Sequence, residues 1–170
     1  MKNKGIRLSL LLLLTAAWFI LMREMISPLD PANILKFEFI GTAAKAENFL
    51  NELRQLGHLD LMTLSIYLDF IFPLLYGAMF YYASAWVCGK LTKQHSLNRF
   101  KIVSSLTVIA VACDMIENIS LLQLIYFEPT NLFANAAFVF AGIKFLLILM
   151  VVLHFLVSIL VTGMRRNTDR

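Results

Sequence analysis

Residues 102–127 read IVSSLTVIAVACDMIENISLLQLIYF. A helix needs about 20 apolar residues to cross a bilayer, and this run is long enough. Near its middle it carries Asp114, Glu117 and Asn118. With Leu121 these follow the i, i+3, i+4, i+7 pattern, so the three polar groups share one helix face. A charge facing lipid costs at least about 2.5–3.5 kcal/mol, so that face must turn toward other protein.

Similar runs lie on either side of it. Upstream, residues 59–87 form an apolar segment holding Asp69, Pro73 and Gly77, which ends in Phe80, Tyr81, Tyr82 and Trp86. Tyrosine and tryptophan at a span end suit the headgroup level. Downstream, Glu128-Pro129-Thr130-Asn131 reads as a tight turn, and residues 132–161 form another apolar run with Lys144 inside it. The first run covers residues 8–26 after a basic start. Arg23-Glu24-Met25-Ile26 follows its apolar part with no small-x-small cleavage pattern, so it reads as a retained signal-anchor helix and not as a cleaved leader. The expected fold is therefore an all-α membrane protein, a bundle of four transmembrane helices in a single domain over residues 1–170.

Composition agrees. The chain is 59% hydrophobic and 15% charged, with a mean hydropathy of +0.74. A soluble domain this apolar could not cover its surface with polar groups. The net charge of +4 does not imply nucleic acid. Its basic residues sit in short patches flanking apolar runs, where topology determinants lie, and no basic face is interleaved with aromatics. Cys88 and Cys113 fall at depths roughly 15 Å apart, too far for a disulfide, and read as packing residues. No Cys/His spacing indicates a metal, and no motif implies a cofactor. His58, His95 and His154 have no partner at ligand spacing.

Residues 27–58 differ from the rest. Ser27-Pro28-Leu29-Asp30-Pro31 ends the first helix. Residues 35–40, LKFEFI, alternate apolar and polar, which predicts an extended piece. Thr42 is the expected N-cap of a short amphipathic helix over 43–56, with Ala46, Phe49, Leu50, Leu53 and Leu56 on one face and Gly57 as its stop. This segment is expected to lie near the outer membrane surface as a lid over the bundle.

Of fifteen Lys and Arg residues, ten lie at the two termini and the 89–101 loop, four in residues 23–60, and Lys144 within a span. The positive-inside rule then puts both termini in the cytoplasm.

The ionisable residues within spans carry the functional question. Counting 1.5 Å per residue from the outer boundaries puts Asp69, Glu117 and Asn118 roughly 14–15 Å deep, and Asp114 and Lys144 roughly 18–20 Å deep. Asp69, Pro73, Tyr76 and Phe80 form a matching stripe on the second span. Pro73 frees the carbonyl of Asp69 from its helical hydrogen bond. The expected site is Asp69, Tyr76, Asp114, Glu117, Asn118 and Lys144, and three readings of it stand open. It is a network in which Lys144 pairs with Asp114 and fixes helix register. It is a pocket for a lipid-like or amphipathic ligand, with Asp69 and Glu117 as the acid/base candidates should the protein be an enzyme. Or it is a cation or proton site, which Lys144 disfavours. The corresponding partners are membrane lipids, an amphipathic ligand or another membrane protein.

Three segments, residues 37–46 (FEFIGTAAKA), 67–77 (YLDFIFPLLYG) and 114–118 (DMIEN), resemble a family of small bacterial four-helix membrane proteins. The resemblance covers about residues 35–120. It implies a bacterial plasma membrane and no particular activity. A more distant architectural likeness is to four-helix sterol-isomerase-like proteins, which keep carboxylates in a membrane cavity. This chain lacks their intramembrane histidine.

Overall fold

The computed structural model describes residues 2–91 and 96–168, and the side chains of 5–91 and 96–162. His95 and Lys93 lie outside the described residues. Every regular element among those described is helical: α1 (Lys2–Met25), α2 (Pro31–Glu38), α3 (Ala43–Gln55), α4 (Leu59–Asp69), α5 (Phe72–Cys88), α6 (Phe100–Tyr126) and α7 (Asn131–Thr168). Among the described residues four stretches are long and apolar enough to cross a membrane: Gly5–Met25, Leu59–Cys88, Phe100–Tyr126 and Asn131–Thr162.

The packing follows from where each helix keeps its buried residues. On α6, Val103, Thr107, Ala110, Asp114, Glu117, Leu121 and Leu124 are all buried. Their alternating spacing of three and four is the seam of a helix that packs along its whole length. On α7, Ala137, Lys144, Val151 and Ser158 repeat every seven residues, with Ala134 and Ala141 beside them, and all six are buried. Small residues here let the two backbones approach closely. The α6–α7 interface is the most extensive in the molecule, while α1 packs chiefly on α5, which in turn packs on α6. The opposite faces, with Leu10, Leu13 and Ile20 on α1, Val108 and Ile119 on α6, and Leu146, Leu153 and Leu160 on α7, are apolar and exposed.

The long apolar stretch 59–88 is broken between α4 and α5. Pro73 sits in the first turn of α5. It has no N–H to give, and its ring crowds the carbonyl one turn back, at Asp69. The backbone tightens there, with Phe70 and Ile71 donating to the carbonyls of Tyr67 and Leu68 at 3.3 and 3.2 Å. The Trp18 indole of α1 also donates to the Leu68 carbonyl, at 3.3 Å. Asp69 thus ends α4 at the kink. Further along α5, Gly77 lies so close to α6 that a Cβ there would meet Val111 at 2.7 Å.

The segment joining α1 to α4 departs from expectation in two places. Residues 31–38 are helical and not extended. Asp30 accepts a hydrogen bond from the Ala32 N–H at 2.9 Å, and Pro31 occupies the first helical position. A capped helix start prevails over a six-residue alternation, because it satisfies backbone donors that an isolated extended piece would leave unpaired. Leu35 and Phe39 accordingly point outward while Phe37 is fully buried. Second, Leu56 is exposed. It falls after the last turn of α3, where Gly57 (φ +70°) ends the helix and the N–H groups of Gly57 and His58 bond back to Arg54 and Leu53. Thr42 does cap α3, accepting from the Lys45 N–H, and Asn131 ties the Ala43 N–H to the start of α7 at 2.8 Å. Ala46, Phe49, Leu50 and Leu53 pack with Phe37, Met62, Leu121, Leu124, Ala134 and Ala137 in one core. The α2–α3 unit therefore caps one end of α4, α6 and α7.

Candidate functional site

The helical seams deliver the polar residues to one place. Lys144 projects from the buried face of α7, two residues beyond Gly142 and a turn past Ala141, and only 5% of it is exposed. Its Nζ lies 2.8 Å from Glu117 Oε2, 3.1 Å from Asp114 Oδ1 and 3.8 Å from Glu38 Oε1. The Asp114 contact is a hydrogen bond. The Glu117 contact is the shortest of the three, a close buried ion pair. Tyr76 of α5 donates to the other Asp114 oxygen at 2.8 Å. Asn118 donates to Asp69 Oδ2 at 2.9 Å.

All six expected residues are thus drawn together in two linked groups. Asp114, Glu117, Lys144 and Tyr76 form one, and Asp69 with Asn118 the other. They do not all face the same space. A cavity of about 370 Å³ is lined by Asp69, Tyr76, Asp114 and Lys144, together with the apolar Phe72, Met79, Phe80, Phe145 and Ile148 and with Thr15 of α1. Glu117, with no exposed surface, sits behind Lys144 and does not border it. Asn118 lines a smaller adjoining space of about 40 Å³, with Ser65, Ile66 and Leu121.

Sequence reasoning missed Glu38. It sits among the outer acids in a count of charges, yet it is buried and borders both cavities. Burial pushes its carboxyl above the usual carboxylate range; the Lys144 ammonium draws it back down and Asp114 adds to the rise. No local signal marks it, because its burial comes from the docking of α2 onto the long helices.

The site therefore assembles four carboxyl side chains, Glu38, Asp69, Asp114 and Glu117, around one ammonium. Among the described residues no group of three or more His, Cys, Asp or Glu side chains is arranged to hold a metal ion. The two described histidines stay apart from it: His58 precedes α4 and His154 contacts the Leu97 carbonyl at 2.9 Å. Comparison with family models, curated proteins and solved structures gives no match for this chain. The likeness to small bacterial four-helix proteins rests on its three sequence segments alone.

Proposed function

We propose that the chain is a plasma-membrane protein of four transmembrane helices whose interior cavity holds a lipid-like, amphipathic molecule. The observation that carries this reading is the mixed lining of the 370 Å³ cavity. Three acids, a tyrosine and a lysine share it with phenylalanine, methionine and isoleucine side chains. Its size suits a small ligand or part of a lipid, and mostly apolar walls with a few placed polar groups are what a small-molecule site offers. Thr15 on α1 and Phe145 and Ile148 on α7 all line it, and α1 packs on α5 without an extensive contact to α7. In this reading a bilayer-resident molecule enters laterally between α1 and α7. If acid/base chemistry accompanies binding, Asp69 is the better placed of the two candidates, because it borders the cavity and Glu117 does not.

Native mass spectrometry of the protein purified in mild detergents tests the reading. A retained amphiphile is expected on the parent and on Asp69→Asn, and lost in Asp69→Leu, which removes the polar anchor but keeps the bulk. An empty parent in several detergents would count against a pocket and favour the alternative, an accessory membrane subunit whose polar groups only hold helices in register. The Glu117–Lys144 contact, which faces no cavity, is the part of the site that suits that alternative.

In the proposed topology both termini and the 89–101 loop are cytoplasmic, and α2 and α3 face outward. A single cysteine at position 45, in a background with Cys88 and Cys113 replaced by alanine, is expected to react with an impermeant maleimide in intact cells. One at position 95 is expected to react only after lysis. The opposite pattern would invert the orientation.

A further inference from the structure

A census of donors and acceptors narrows the ligand. The hydroxyl donors on the cavity wall are already committed: Thr15 to the Leu11 carbonyl of its own helix at 2.8 Å, and Tyr76 to Asp114. The Lys144 ammonium is surrounded by Asp114, Glu117 and Glu38. Acceptors are in surplus. Glu38 Oε2 is buried with no hydrogen-bond partner, although Glu38 borders the cavity and only 8% of the residue is exposed. Asn118 meets one Asp69 oxygen, and a carboxylate has room for further donors. A buried acceptor without a donor is destabilising, so a molecule that completes the site brings donors of its own.

The one ammonium points the same way. Lys144 is already held by Asp114, Glu117 and Glu38, so an anionic headgroup would find no free cation at the site. A hydroxyl brings one donor and no charge. A quaternary ammonium brings charge and no N–H.

We infer that the cavity takes a primary ammonium carried on an apolar body, with Glu38 as the residue that recognises it and Asp69 as its second acceptor. This rests on the amphiphile reading above. The apolar body lies along Phe72, Met79, Phe80, Phe145 and Ile148. Because Glu38 belongs to α2 and not to one of the four long helices, the capping segment supplies the recognition group.

The test uses four amphiphiles with the same tail on the full-length protein, titrated by native mass spectrometry: dodecylamine, dodecyltrimethylammonium, dodecanol and dodecanoate. Dodecylamine is expected to bind at least about tenfold more tightly than the other three, the size of effect that charge-assisted hydrogen bonds supply. Glu38→Gln is expected to remove most of that preference, and Asp69→Asn gives a second readout should Glu38→Gln fold poorly. Lys36→Gln, on the outer face of α2, is expected to keep it. Equal binding of dodecylamine and dodecanol, or of dodecylamine and dodecyltrimethylammonium, would overturn the ammonium assignment while leaving the amphiphile pocket standing. So would a preference unchanged in both carboxyl variants. Binding of none of the four would overturn the pocket itself.

Discussion

Replacing Lys144 with methionine is expected to destabilise the protein by about 3–5 kcal/mol and remove most of its folded yield, the usual consequence of withdrawing one partner from a buried charge cluster. Methionine fills nearly the same volume, so the loss would be one of charge. The ammonium is within 4 Å of three carboxyl groups on two other helices, α2 and α6. Without it, Asp114 keeps the Tyr76 hydroxyl as a donor, whereas Glu117 and Glu38 keep nothing that carries charge. Adding Glu117→Gln to Lys144→Met is therefore expected to restore part of the lost stability, because it removes the acid most dependent on the ammonium. Thermal melts in detergent with size-exclusion yield provide the readout. A Lys144→Met protein that melts like the parent would show that the acids do not depend on Lys144, and the charge argument for the ligand would fall with it.

The long helices and most of the cluster are legible in the sequence for a simple reason. In a chain this apolar, hydrophobic length sets the helix boundaries, and a polar residue inside such a run has nowhere to go but inward. Asp114, Glu117, Asn118 and Lys144 are therefore singled out by position alone, and the structure brings Lys144 to Asp114 and Glu117. The kink at Asp69 is legible too, since Pro73 dictates where the ladder must break. What the sequence hides is the short capping segment. Residues 31–38 belong to no long run, so local signals compete there, and the pairing of Asp30 with Pro31 outweighs the alternation that follows. Glu38 is missed as a consequence: its burial comes from the docking of α2 and α3 onto α6 and α7, a tertiary event with no periodic trace. Glu117 fails differently. Its spacing puts it on the right face, but whether it borders the cavity or stands behind Lys144 depends on how the helices pack, which spacing does not encode.

Phe37→Ala tests whether the capping segment is part of the folded core or merely rests on it. Phe37 is fully buried, its ring centroid 5.5 Å from that of Phe49 on α3, and both belong to the core shared with Met62, Leu121, Leu124 and Ala137. Truncating such a side chain is expected to cost about 3–5 kcal/mol, combining lost burial with the cavity left behind. Leu35→Ala on the same helix is the control: Leu35 is half exposed, and its loss is expected to stay near about 0.5 kcal/mol. The two differ most where α2 meets the site. Glu38 follows Phe37 directly, so loosening the phenylalanine anchor frees the carboxylate from its 3.8 Å approach to Lys144. Hydrogen exchange is then expected to accelerate across residues 31–56 in Phe37→Ala and to stay slow in Leu35→Ala, while α6 beyond Leu121 keeps its protection in both. A segment lying loosely on the membrane surface would exchange fast in the parent and respond equally to either substitution. That outcome would separate Glu38 from the cavity and remove the physical basis for its role in recognition.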